Sequence, residues 1–244
     1  MLYEIAKPLV MAVARVLWNP TISGVENIPD DGPVIIASNH LAYCDSVFLP
    51  GQVRRSMHIL GKSDFFSGRS PANKVIAQVM RGLHVMPVDR TGGSASRSAI
   101  DAGLHVLRAG KVLGIYPEGT RSPDGRLYRG KTGVARFALA TGTPIVPVAM
   151  LGAHEAQRGR KYFPRRTPRI HVVLGEPLDG RAIARTLESA EEAAVLRGVT
   201  DAVMDRIQEL SGQERSDEYA ADVKRRMRAQ AQSPAGDSEP DARR

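Results

Sequence analysis

Apolar residues in this chain collect in short runs, and stretches of helical period separate those runs. The run Val34-Ile35-Ile36-Ala37 predicts a buried strand over 33–38. Similar runs predict strands at Ile22–Val25, Met57–Leu60, Leu83–Val88, Lys111–Tyr116, Ile145–Met150 and His171–Leu174. Between them, helices are predicted from Ser46, over 71–81 with Pro71 near the start, and from Ser94 to Ala109. Ser94 caps the last of these and Gly110 stops it. Further helices are expected over 131–141, closed by Gly142, and from Leu187 to Leu210. Strands alternating with helices indicate an α/β fold, a mostly parallel central sheet with helices on both faces.

The ends of the chain differ from this middle. Residues 2–18 read as an amphipathic helix, with Glu4, Lys7 and Arg15 on one stripe and Ile5, Leu9, Val13, Val16 and Leu17 elsewhere. Its apolar part falls short of the roughly 20 residues a span requires, and Arg15 interrupts it. A membrane-interface helix anchored by Trp18 satisfies the pattern, as does a helix docked on the domain. Beyond Ser211 the chain turns polar, and 233–244 has the composition of disorder. The expected organisation is an interface helix over 1–18, one domain over 19–211, and a basic, largely disordered tail over 212–244. Within that tail, Lys224-Arg225-Arg226-Met227-Arg228 reads as a solvated basic run, or alternatively as a contact for lipid headgroups.

Composition narrows the functional classes. A chain of 244 residues, 42% hydrophobic, supports one substantial core. Its single cysteine excludes an internal disulfide, and the six histidines do not cluster, so no metal site is expected. The net charge of +8 favours an anionic partner, either a membrane surface or a phosphorylated substrate. Nucleic acid is not expected, because no recognition motif accompanies the charge.

Candidate chemistry follows the first buried run directly. In Ser38-Asn39-His40-Leu41-Ala42-Tyr43-Cys44-Asp45-Ser46, a histidine and an aspartate sit five apart on a polar, turn-like link. A carboxylate on one ring nitrogen fixes the tautomer that leaves the other free to accept a proton. With 6 His among 244 residues, chance alone yields about 0.3 such spacings, so the spacing is weak by itself. His84 and Asp89 repeat it, but they flank an extended segment that holds them about 16 Å apart on opposite faces. Only His40 and Asp45 are able to meet.

Three loops follow strands: 39–46, Asp89-Arg90 and Pro117–Ser122. Parallel strands bring such loops to one sheet edge, where ligands bind. Pooled, they supply His40, carboxylates, Arg90, Arg121 and the backbone of Glu118-Gly119-Thr120. A general base beside arginine forks suggests a hydroxyl nucleophile on a phosphorylated molecule.

The blocks Asn39-His40 to Asp45-Ser46, Pro87–Arg90, Tyr116–Ser122 and Ile145–Val148 occur in that order. They resemble the four blocks of the glycerolipid acyltransferases, in the lysophosphatidate (1-acyl-sn-glycerol-3-phosphate) acyltransferase branch. The resemblance covers about residues 22–175, and the seven-residue third block is its most specific part. Tyr116 stands where phenylalanine is usual, and Lys62–Phe66 resembles the family's lysine–acid–aromatic stretch. The resemblance implies transfer of a fatty acyl group from an acyl-CoA or acyl carrier protein thioester to the free hydroxyl of 1-acylglycerol 3-phosphate. It implies His40 as general base, Asp45 as its orienter, and Arg90, Glu118, Gly119, Thr120 and Arg121 as acceptor-binding residues, with no cofactor. A peripheral position on the cytoplasmic face of an anionic membrane follows as an expectation. Acylation of glycerol 3-phosphate or another lysolipid, a Cys44 acyl-enzyme, and a non-catalytic basic binding module are the competing readings.

Overall fold

Five consecutive residues of the first apolar run, Val34–Ser38 (β2), are completely buried, and the domain is layered around them. In the computed structural model, which describes residues 2–62, 74, 78, 84–88, 93–158 and 163–232, β2 lies at the centre of a seven-stranded sheet. Its strands are Thr21–Ser23 (β1), β2, Met57–Lys62 (β3), Val85–Val88 (β4), Val112–Ile115 (β5), Ile145–Leu151 (β7) and His171–Leu174 (β8). Their spatial order is β1-β8-β7-β2-β5-β3-β4. From β7 to β4 all pairs are parallel, and β8 runs antiparallel to β7. A separate two-stranded ribbon joins Leu127–Tyr128 (β6) to Arg215–Ser216 (β9).

Alternation along β2 divides the core. Val34 and Ile36 face Leu2–Trp18 (α1), Asp45–Gln52 (α2) and Ala153–Gln157 (α5), through Met11, Phe48 and Ala153. Ile35 and Ala37 face Gly93–Arg108 (α3), Gly133–Thr141 (α4) and Glu192–Ser211 (α7), through Leu107, Phe137 and Val203. Cover on both faces favours the continuous apolar run Val34–Ala37, and Ser38 at the strand's exit is buried with its Oγ donating to Asn39 O at 3.0 Å.

The expected α/β architecture is present, with differences that have local causes. The helix predicted from Leu187 to Leu210 begins later, as Glu192–Ser211 (α7), and a separate helix, Gly180–Thr186 (α6), precedes it. Asp179 caps α6 by accepting from Arg181 N at 2.8 Å and Ala182 N at 3.1 Å, and Leu187 is extended. The helix predicted over 71–81 lies outside the described residues apart from Lys74 and Gln78.

The expectation of a largely disordered tail from residue 212 does not hold for 213–232. Leu127 N donates to Glu214 O and Arg129 N to Glu218 O, both at 2.9 Å, on either side of the β6–β9 pairing. Helix Ala220–Gln232 (α8) then buries Ala220 and Val223 against Tyr128, itself fully buried. Two small apolar side chains suffice to dock this helix because the ribbon has already fixed its start.

The amino-terminal helix is docked as well. Met11 and Ala14 are buried, and Lys7 Nζ bonds Val53 O. Trp18 is not a free anchor for a membrane. Its ring packs edge-on against Phe48 and flat against Phe163, and its Nε1 donates to Pro164 O at 2.9 Å. Val13 and Val16 on the opposite face are 49% and 82% exposed. Among the described residues, no helix is long and apolar enough to cross a membrane.

Candidate active site

Because β2 and β5 are parallel and in register from Val34–Val112 to Ala37–Ile115, the loops that follow them leave the sheet side by side. The first carries His40 and Asp45, and the second carries Tyr116 to Ser122. They are tied together: Ser122 N donates to His40 O at 2.7 Å, and His40 N donates to Glu118 Oε1 at 2.9 Å. Asn39 fastens the exit of β2 to that of β7, accepting from Met150 N at 2.7 Å and donating to Met150 O at 3.2 Å. Its amide also donates to Gln213 Oε1 at 2.6 Å, which draws the segment after α7 into the same assembly.

His40 Nδ1 lies 2.9 Å from Asp45 Oδ2. The same oxygen accepts from Leu41 N at 2.7 Å and Ala42 N at 2.8 Å, so the carboxylate at the start of α2 reaches back over its own turn. A carboxylate only accepts, so Nδ1 carries the ring proton and Nε2 presents a lone pair. The Tyr116 ring stacks on the imidazole at 4.0 Å between centroids, 16° from parallel, and holds its plane. The aromatic position of the third block is thus a platform for the histidine. Burial lowers the His40 pKa below its ordinary value against the opposing pull of Asp45, and the charges of Arg121 and Lys224 lower it further. The imidazole is therefore neutral at neutral pH, as a proton acceptor must be.

Arg121 lies with its guanidinium carbon 3.4 Å from the ring centroid of Tyr43, so the cation of the second loop rests on an aromatic of the first. Gly119 adopts a left-handed conformation (φ 73°), and a side chain there would crowd Lys131. Thr120 Oγ1 accepts from Lys224 Nζ at 3.1 Å.

One expected site residue turns away from the loop surface. Glu118 is fully buried, and its oxygens accept from His40 N at 2.9 Å and Tyr128 N at 3.0 Å. It therefore does not face a substrate; it braces the histidine loop against β6 from behind. Burial pushes its carboxyl up to about 8 despite these two donors. Arg90 lies outside the described residues. Cys44 is buried, and burial pushes its thiol well above the ordinary range, which removes the thiolate an acyl-cysteine would need. His84 sits apart from this site, stacked on His58 with centroids 4.7 Å apart and 2.6 Å from Ser56 Oγ.

Three features escaped the sequence reading: the Tyr43 platform, the brace role of Glu118, and Lys224. None of the three left a signal in the sequence, because each depends on a contact between segments far apart in the chain.

At the carboxyl edge of this α/β sheet a neutral histidine rests on a carboxylate beside the Arg121 and Lys224 cations, an arrangement able to activate a hydroxyl. Residues 19–151 match the family model described as Acyltransferase, and the chain belongs to that family. It is 32% identical over 187 residues to the 1-acyl-sn-glycerol-3-phosphate acyltransferase of Bacillus subtilis, covering 76% of this chain and 84% of the relative. The enzyme of the same name from Pseudomonas aeruginosa is 28% identical over 181 residues, covering 70% and 65%. That from Borreliella burgdorferi is 34% identical over 129 residues, about half of each chain. The crystal structure of the 1-acyl-sn-glycerophosphate acyltransferase of Thermotoga maritima shares the fold with a TM-score of 0.60, covering 85% of this chain and 79% of that one, at 23% identity.

Proposed function

We propose that this acyltransferase moves a fatty acyl group from a thioester, carried on coenzyme A or acyl carrier protein, to the free hydroxyl of 1-acylglycerol 3-phosphate. The product is phosphatidic acid. The observation that carries this reading is the His40–Asp45 pair at 2.9 Å with the Arg121 cation lying on Tyr43 of the same loop. His40 Nε2 takes the hydroxyl proton as the oxygen attacks the thioester carbonyl. Asp45 stabilises the imidazolium that forms. The tetrahedral intermediate then expels the thiolate, which recovers the proton from His40, so the step balances with the two substrates alone. General-base assistance contributes about 10²–10⁴-fold, and positioning by the cations supplies further acceleration. Arg121 holds the acceptor phosphate, Gly119 and Thr120 shape the loop around it, and Arg90 adds positive charge.

The membrane part of this proposal rests on α1. Val13 and Val16 are exposed on the face of α1 opposite its docked side, and Arg15 is exposed in its last turn, an arrangement suited to an anionic interface without spanning it. Val13→Asp/Val16→Asp protein should lose binding to vesicles containing phosphatidylglycerol. Undiminished sedimentation would assign the bilayer to another surface. The chemistry is tested by incubating purified protein with labelled oleoyl-CoA and 1-oleoylglycerol 3-phosphate, glycerol 3-phosphate or monooleoylglycerol. Label in phosphatidic acid is expected. Equal transfer to monooleoylglycerol would remove the phosphate from the reading.

A further inference from the structure

We infer that Lys224, on the carboxyl-terminal helix α8, is a direct ligand for the phosphate monoester of the acceptor, so that this helix completes the site with Arg121. The inference rests on the phosphorylated-acceptor reading above and adds a binding residue from a segment outside the 19–151 family match.

The basic residues of this helix are not equivalent. Arg225 pairs with Asp222 at 2.9 Å and Arg226 pairs with Glu218, so both spend their charge along the helix surface. Lys224 turns the other way. Half-buried, it reaches the Glu118-Gly119-Thr120-Arg121 loop and donates to Thr120 Oγ1 at 3.1 Å. An ammonium has three donors, and this is its one bond among the described residues. Arg121 likewise has no carboxylate partner among them and is held only by the Tyr43 face.

Two cations brought together without a counter-ion repel, and the cost is visible. Burial together with repulsion from Arg121 and Arg228 pushes the Lys224 ammonium down to about 8. Among the described residues the carboxyl that acts on Lys224 is Glu118, which is buried behind the loop with both oxygens occupied. An exposed lysine in this position would swing into solvent. This one is kept in place by the β6–β9 ribbon and by Ala220 and Val223 packed on Tyr128. A dianion placed between Lys224 and Arg121 would relieve the repulsion and use donors that are already oriented, which is the preorganisation phosphate sites employ. Arg121 directly precedes Ser122, whose N donates to His40 O at 2.7 Å, so the ion would be held on the loop that is tied to the histidine.

Glycerol 3-phosphate is the soluble probe, with binding followed by calorimetry and by the His40 ring resonances. Wild type should bind it, and Lys224→Gln should bind about ten- to hundredfold more weakly, the scale of one charge-assisted hydrogen bond. Lys224→Arg should restore most of the affinity, and Arg225→Gln on the same helix should change nothing. In turnover, Lys224→Gln should raise the acceptor KM with kcat changed far less. The KM for acyl-CoA, which carries its own phosphate monoester, should stay constant; a rise confined to acyl-CoA would overturn the acceptor assignment. Wild-type glycerol 3-phosphate affinity in a folded Lys224→Gln protein, or no binding by wild type, would overturn the site itself. If binding depends on Lys224 but no phosphatidic acid is made, the acceptor reading falls while the phosphate site stands.

Discussion

Replacing Asp45 by asparagine separates the charge of the dyad from its geometry. In many histidine–carboxylate pairs an amide is free to rotate, offers its NH₂ to the imidazole, and traps the wrong tautomer, at a cost of about 10⁴ in rate in the serine-protease triad. Here that rotation is blocked. Oδ2 of Asp45 accepts from Leu41 N at 2.7 Å and Ala42 N at 2.8 Å as well as from His40, and two backbone donors tolerate only an oxygen in that place. The introduced amide would therefore keep a carbonyl oxygen on His40 Nδ1, preserve the tautomer, and remove only the negative charge that stabilises the imidazolium. A hydrogen bond to a charged group is worth about 1.5–3 kcal/mol, so Asp45→Asn should lower kcat/KM by about 10–150-fold. His40→Ala should lower it by the full general-base factor or more. The amide nitrogen would occupy the place of Oδ1, which is buried with no hydrogen-bond partner among the described residues. Leaving a donor unsatisfied there costs about 1–3 kcal/mol, a Tm lower by several degrees in a domain of this size. Steady-state kinetics of the wild type, Asp45→Asn and His40→Ala, with circular-dichroism melts, measure both effects. A loss near 10⁴ in folded Asp45→Asn protein would refute the pinning argument, and no loss would refute the role of the charge.

Two further outcomes follow from the same geometry. His40 is held below its ordinary value of 6.5 by burial, with Asp45 opposing and Arg121 and Lys224 assisting, so the acid limb of kcat/KM should lie below pH 6.5. Lys224, facing Arg121, Arg228 and Glu118, titrates at about 8 in the free protein, so acceptor binding should weaken above that pH. Lys224→Arg should abolish the alkaline limb because arginine stays charged; a limb unchanged by this substitution would assign it elsewhere. Glu118→Ala should leave His40 N and Tyr128 N without acceptors at a cost of about 2–6 kcal/mol, seen as a large fall in Tm together with lost activity. Wild-type stability with only a raised acceptor KM would mean that Glu118 contacts substrate after all.

The scaffold and the contact between His40 and Asp45 could be read from the order of residues alone. Val34-Ile35-Ile36-Ala37 could only be a strand covered on both faces, and the residues just after such a strand must emerge at a sheet edge. His40 and Asp45 were legible because both lie within one turn-like link, where spacing along the chain nearly fixes spacing in space. The distinction from His84 and Asp89 rested on the same reasoning, although Asp89 lies outside the described residues. Contacts between distant segments left no such record. Glu118 belongs to a loop that looks like a ligand cradle, yet its side chain turns inward because β6 offers Tyr128 N behind it. Arg121 acquires its orientation from Tyr43, 78 residues earlier, and Lys224 reaches Thr120 from 104 residues later. The tail read as polar and disordered because only two small apolar residues, Ala220 and Val223, dock its helix, too few to raise a periodic signal. Its structure comes from a ribbon paired with Leu127 and Tyr128, and whether a lysine faces solvent or a site depends on which side of a helix that pairing turns inward.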